Sequence, residues 1–410
     1  MSNSYRLLPA VSLLLLPLYP HAQDAKSNTY ETAAVEEGGR TLRFGNINVF
    51  PMAEVRWGYD DNITQTPGTA SQPALSSSVW VLNAGLTADL EHQGDRYSLQ
   101  YLGAYTRYTA SSADNIDSHT LRLQGANVLN ARNAVKWESG LVDGFDPRGS
   151  TDSTMAVKTP SHYQTYRVGG TYVYGAEGAK GRVEADAFFS TKEYKNNRET
   201  MYTADLNSTE LNGRFFWRLM PKTSAVFELR FADYDYVAAN AGLDSNSLQW
   251  LVGLNWDATA ATSGRIRIGH TKRRYTSRED FSGLSWEAGV TWKPLTYSTF
   301  TFTTGRNIGD TTSGNTADVG NYVLGTNYRL NWSHEWRSNL RSELSWNHTK
   351  SDYVGVTRLD KLNVYKAGIY YDFRRWMSAG VEFHYSERRS NEPAYTFDRL
   401  QSLAVVRAKF

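Results

Sequence analysis

The 410-residue chain contains no cysteine. That excludes disulfides, thiol nucleophiles and a lipid anchor on cysteine. Long apolar runs are also missing: past residue 22 nothing approaches the roughly 18 to 20 apolar residues of a spanning helix, and the mean hydropathy is -0.53. A helical membrane protein is thereby excluded, whereas a barrel is not, because only every second residue of a barrel strand meets lipid. An excess of one charge is lacking as well. The 44 Lys and Arg stand against 42 Asp and Glu, a formal net charge of +2 that gives no case for nucleic acid. The histidines His119, His162, His270, His334, His348 and His384 are scattered over separate segments, none in a metal-ligand spacing. No metal, cofactor or catalytic residue is expected, the chain does not read as an enzyme, and His384 near Glu382 reads as ordinary wall lining.

Aromatic residues, by contrast, are abundant: 12 Trp, 26 Tyr and 16 Phe. At the N-terminus Arg6 precedes the apolar stretch Leu7 to Leu18, which leads to the small residue Ala22. A charged start, a short apolar core and a small residue describe a secretory signal peptide over residues 1–22, with Pro20 leaving the cleavage point open. Residues 23–46 are polar and aperiodic and read as a flexible periplasmic leader, with a plug reaching into a lumen as the alternative.

From residue 49 apolar residues recur at every second position. Ala53, Val55, Trp57 and Tyr59 share one face against Glu54 and Arg56, and Trp80, Leu82, Leu86 and Leu90 share another against Asn83, Thr87 and Asp89. The four residues HQGD (92–95) separate that second strand from a third, a hairpin with a tight polar turn. The unit repeats to the end of the chain. Short turns are predicted at 92–95, 130–133, 175–181, 220–223, 258–264, 294–296, 334–337 and 373–376. Longer polar loops are predicted near 60–74, 109–117, 146–161, 191–204, 236–245, 274–282, 306–317, 349–358 and 387–395. Eight turns and nine loops connect eighteen strands, so residues 47–410 are expected to form an all-β, transmembrane antiparallel barrel in the bacterial outer membrane. Short turns belong to the periplasmic rim of such barrels, which would make both chain ends periplasmic. Trp217, Trp256, Trp292, Trp332, Trp336 and Trp376 lie near the short turns, where an aromatic girdle belongs. Partners expected on this reading are outer-membrane lipid and the barrel assembly machinery.

The chain ends on the alternating segment SLAVVRAKF (402–410), with Ala404, Val406, Ala408 and Phe410 on one parity and Leu403, Val405, Arg407 and Lys409 on the other. It reads as the closing strand, with Phe410 as the assembly signal and Arg407 and Lys409 as charges at the entrance. The inward parity as a whole carries Arg56, Arg96, Arg122, Arg182, Arg214, Arg218, Arg230, Arg265, Arg267, Arg273, Arg329 and Arg341, with Glu54, Glu228 and Glu287 among its acids. Eighteen strands enclose a space about 35 Å across, too wide for side chains alone to fill, so water or a plug is expected inside. Cross-strand pairing explains many of these charges, but Arg265, Arg267 and Arg273 opposite Arg214, Arg218 and Arg230 have fewer acids near them, which suggests anion selection there.

The segment VFPMAEVRWGYDDNI (49–63), an opening strand that ends in Tyr59, Asp60, Asp61 and Asn62, together with the terminal Phe410, resembles the β-barrel porins encoded with exopolysaccharide biosynthesis genes, the EpsL type. The resemblance implies an outer-membrane channel taking part in polysaccharide export; the lumen arginines suit an acidic polymer as cargo, and a periplasmic export partner docked on the short turns belongs to the scaffold reading below. The architecture is also similar to that of the alginate-export porins. Two other readings of the residues stay open: a diffusion porin for small hydrophilic or anionic solutes, and a non-conducting scaffold barrel of a secretion complex.

Overall fold

The structure is a computed structural model and describes residues 42–149, 157–176, 178–259, 261–311 and 320–409. The expected signal peptide, the leader up to residue 41 and Phe410 lie outside the described residues.

The period-two pattern becomes strands throughout. The first are β1 (Leu42–Phe44), β2 (Ile47–Asp60), β3 (Ser77–His92), β4 (Asp95–Tyr108), β5 (Ile116–Asn130), β6 (Asn133–Asp146), β7 (Ser161–Tyr174) and β8 (Gly181–Tyr194). Next come β9 (Leu206–Met220), β10 (Thr223–Tyr236), β11 (Ser245–Thr259), β12 (Thr262–Tyr275), β13 (Phe281–Leu295) and β14 (Ser298–Gly309). The series ends with β15 (Tyr322–Arg337), β16 (Leu340–Val354), β17 (Leu359–Arg374), β18 (Met377–Ser390) and β19 (Phe397–Lys409). Helical structure among the described residues is limited to α1 (Arg198–Met201) and three single 3-10 turns, all in loops.

Strands β2 to β19 each pair antiparallel with their neighbours in sequence, and β19 pairs with β2 from Gln401↔Asp60 to Lys409↔Met52. The sheet is therefore a closed eighteen-stranded barrel, and closure removes the exposed edges that a sheet of this length would otherwise present. β1, inside the range read as leader, forms a small hairpin with the start of β2, Leu42 opposite Val49. Side chains alternate as the pleat requires: on β2, Val55, Trp57 and Tyr59 are 38%, 52% and 51% exposed, while Glu54 and Asp60 are 6% and 0% exposed. The exposed set is the lipid face and the other parity is the inner wall.

Both described ends of the chain lie at the rim that carries the short turns. In the first of these turns Gln93 and Gly94 have φ of 51° and 93°, the two positive values of a type I′ hairpin, which matches the right-handed twist of the strands it joins. Two turns sit a few residues beyond their predicted places. The turn expected at 334–337 falls at Ser338 and Asn339, and the one expected at 294–296 falls at Thr296 and Tyr297. In the first case Trp336 is 56% exposed on the lipid face and so belongs to the strand rather than to the turn.

The long loops do not simply project from the opposite rim. Asn62, Ile63, Thr64 and Gln65, in the β2–β3 loop, are buried, and Asn62 Nδ2 donates to the carbonyls of Thr66 (2.8 Å) and Asp398 (2.9 Å). From the β6–β7 loop, Arg148 pairs with Asp114, and the Gly149 carbonyl accepts from Arg388 Nη2 of β18 at 3.1 Å. Gly149 has φ of +70°, and a Cβ there would stand 2.5 Å from the Thr64 carbonyl oxygen, so the two loops meet across the mouth. On the other side Arg278 ties three loops together. Its Nε donates to the Gly242 carbonyl (3.0 Å), its Nη2 to Ala241 (3.0 Å), and its Nη1 to the Thr311 hydroxyl (3.1 Å) and the Asn321 carbonyl (2.8 Å).

Candidate functional site

All of the arginines expected to line the pore lie on the inner parity, but they divide into three groups. The first stitches the seam between the first and last barrel strands. Arg56 reaches Glu54 (2.9 Å) and Glu382 (3.1 Å), Arg407 pairs with Glu54 and with Glu382 (2.8 Å), Asn83 donates to Glu54 (2.8 Å), and the Tyr370 hydroxyl donates to Glu382 (2.9 Å). His384 Nε2 lies 3.3 Å from the same Glu382, so it belongs to this cluster rather than being ordinary lining. Arg407, expected as an entrance charge, is taken up here as well. Five strands, β17, β18, β19, β2 and β3, contribute to the cluster. Each removed charge would strand a partner that solvent cannot easily reach, and this interdependence locks the register of closure.

The second group corrects the expectation that acids are scarce around β10 to β13. Arg230 pairs with Glu228 (2.8 Å) and with Glu287, donating also to Gln249 (3.1 Å). Arg267, only 5% exposed, lies 3.6 Å from Glu228 and donates to the Asn255 side chain (2.7 Å). Arg214 reaches Glu184 (3.1 Å) and Asp186 (2.7 Å), and Arg182 reaches Glu184 (2.9 Å). Arg273 pairs with Asp310 (2.6 Å), whose carboxylate also accepts from the hydroxyls of Tyr236 (2.8 Å) and Tyr275 (3.0 Å). Asp310 sits just past the end of β14, at a place where sequence spacing carried no sign that it would turn inward. Arg341 is likewise held by Glu343 (3.2 Å) and Asp372 (3.7 Å), and Arg96 pairs with Glu91 (2.7 Å) at the short-turn rim.

The third group is what remains: the side chains of Arg122, Arg218, Arg265 and Arg329 make no ion pair or hydrogen bond among the described residues. Arg218 is exposed near the short-turn rim. Arg265 and Arg329 are related by register. Arg265 stands opposite Gly289, Gly289 opposite Thr303, and Thr303 opposite Arg329, so one row across β12 to β15 carries an arginine at each end with a glycine and a threonine between. Three strand spacings of about 4.8 Å put their backbones about 14 Å apart. Small neutral residues, Thr291, Thr301, Gly305, Asn327, Asn331, Ser345 and Asn347 among them, make up much of the surrounding inner wall of β13 to β16. The two residues between the arginines on this row, Gly289 and Thr303, are small, whereas Arg267, Leu251 and Arg273 farther round the wall are buried among their neighbours. The neutral strip is present in the sequence as alternating Thr, Asn and Gly, but it carries no charge signal that would mark it as a site.

Among the described residues no cluster of three or more His, Asp or Glu is arranged to hold a metal ion.

Solved structures similar to this chain include the FrpB iron transporter from Neisseria meningitidis, at 10% identity and TM-score 0.48, covering 86% of this chain and 67% of that one. A BenF-like porin from Pseudomonas fluorescens is similar at 11% identity and TM-score 0.48, covering 90% of this chain and 100% of the porin. The outer membrane protein OpdK from Pseudomonas aeruginosa is similar at 10% identity and TM-score 0.46, covering 88% and 99%. No curated protein matches the sequence. The closed barrel, its lipid face and its charged inner wall are those of a pore in the bacterial outer membrane, and residues 38–410 match the family described as "Putative beta-barrel porin 2", to which this chain belongs.

Proposed function

We propose that this barrel passes small hydrophilic solutes and favours those that carry negative charge. The observation that carries this reading is the pair Arg265 and Arg329, two cations whose side chains make no ion pair among the described residues, on one row of the inner wall with Gly289 and Thr303 between them. Many of the other inner charges are paired with neighbours and add little net field, which leaves these arginines, with Arg122 and Arg218, to draw anions into the lumen. Weak attraction at separated sites lets an anion enter without holding it. The long loops face outward and both chain ends face the periplasm, in keeping with the short turns at their rim.

A second reading, export of an exopolysaccharide, is favoured by the strip of hydroxyl and amide groups on β13 to β16, which offers exchangeable hydrogen bonds to a sugar chain along its path. The resemblance of the opening strand to barrels of exopolysaccharide operons supports it, and a periplasmic export partner would then dock on the short turns.

Planar-bilayer recordings of the purified barrel under a salt gradient test the first reading. A conducting pore whose reversal potential reports anion preference is expected; cation preference would overturn it, and absence of current would favour a scaffold. Deletion of the gene tests the second, since export requires that polymer accumulate in the periplasm of the mutant.

A further inference from the structure

The lipid face changes character in a definite order toward the long-loop rim on β16, β17 and β18. Trp346, Tyr365 and Tyr385 form one outward row, with the two tyrosine rings stacked 6.2 Å apart. Two residues further along each strand stand His348, Asn363 and Glu387, and two further again stand Lys350, Lys361 and Arg389. Aromatic, then mixed polar, then cationic is the order in which a surface leaves hydrocarbon and enters headgroups.

The cationic row is unusual in its pairing. Lys350 is directly opposite Lys361, and Lys361 is directly opposite Arg389. Like charges facing each other across a ladder are unfavourable. Arg389 is satisfied by Glu387 (3.0 Å) and Asp398 (2.8 Å). Lys350 and Lys361 are exposed and make no ion pair among the described residues. Arg306 extends the patch: it stands opposite Thr326, and Thr326 opposite Lys350, with its guanidinium 5.8 Å from the Trp286 ring. Three cations, Arg306, Lys350 and Lys361, are thus gathered on the outward surface; of the acids near them, Glu387 and Asp398 are taken up by Arg389, and Asp352 stands two residues beyond Lys350 on the same strand. Long basic side chains there run their stems along the apolar wall and place their heads at headgroup level.

We propose that Lys350, Lys361 and Arg306 bind the phosphate groups of a phosphorylated outer-leaflet glycolipid, whose acyl chains lie against Trp346 and Tyr365. A phosphate monoester carries nearly two charges and three acceptor oxygens, which suits two ammonium groups on adjacent strands and a guanidinium beside them. The ligand offsets the repulsion between Lys350 and Lys361, so the site is complete only in the membrane. This inference rests on the outward orientation of the long loops; a protease-accessible tag in residues 355–358 on whole cells tests that orientation separately.

The test uses the purified full-length barrel in detergent, titrated with lipopolysaccharide, with chemically dephosphorylated lipopolysaccharide and with inorganic phosphate, read by native mass spectrometry. The wild type is expected to retain lipopolysaccharide, and K350S/K361S to lose at least tenfold in apparent affinity while keeping the heat-modifiable mobility of a folded barrel. K350R/K361R should bind as the wild type does. Equal binding of the dephosphorylated lipid, saturation by inorganic phosphate at the same concentration, or undiminished binding by K350S/K361S would each overturn the proposal.

Discussion

Arg399 of β19 donates from Nε to both carboxylate oxygens of Asp60 of β2, at 3.0 and 3.1 Å, and both residues are buried. The two are 339 positions apart, yet their pairing closes the barrel at its long-loop end, as the Glu54, Arg56, Glu382 and Arg407 cluster does farther down the same seam. Removing one member of a buried pair strands the other, at a cost of about 3–5 kcal/mol. Arg399→Met is therefore expected to lower the temperature at which the barrel loses its heat-modifiable band in gel electrophoresis. Adding Asp60→Asn should recover part of that loss, because the stranded charge is then gone.

Gly58 lies on the same seam, where a Cβ would stand 1.9 Å from the Ser402 carbonyl oxygen. Gly58→Val should prevent β2 from pairing with β19, leaving material that never acquires folded mobility. Gly213, around which no atom lies within 4 Å of an added Cβ, is the control, and Gly213→Ala should fold normally.

Arg265 and Arg267 are neighbours on one face of β12 but should answer differently to the same change. Arg265→Ser together with Arg329→Ser is expected to move the reversal potential toward zero with no loss of thermal stability. Arg267→Ser removes a buried hydrogen-bonded cation beside Glu228, which costs about 1–3 kcal/mol, and should lower stability while leaving selectivity nearly unchanged. Reversal potentials and melting temperatures of the variants decide it.

Arg278→Ala should free the loops at 237–244 and 276–280 from the segments around Thr311 and Asn321 without disturbing the strands. The expected outcome is a larger, noisier single-channel conductance and protease cleavage in these loops, with barrel melting unchanged to within about 1 kcal/mol.

The barrel itself was legible because a lipid-facing wall forces one parity of every strand to be apolar, and the Trp57, Tyr59 and Trp80 pattern states that parity directly. Turn positions followed to within a few residues, failing mainly where Trp336 looked like a turn residue and proved to be strand. Inner-wall parity was equally readable, so every expected arginine does face inward. Which of them is left with a partner was not. Arg273 depends on Asp310, 37 positions away, and Arg407 on Glu54, 353 positions away.

Periodicity, composition and the alternation of short and long connections determined an outer-membrane barrel of eighteen strands, since those signals are local and repeat on every strand. The distribution of charge inside it was decided by the tertiary structure. Tilted strands bring residues of distant sequence position onto common rows, and burial then makes each carboxylate take the nearest guanidinium. Only after that pairing is complete do Arg265 and Arg329 stand out on the inner wall, and Lys350 and Lys361 on the outer.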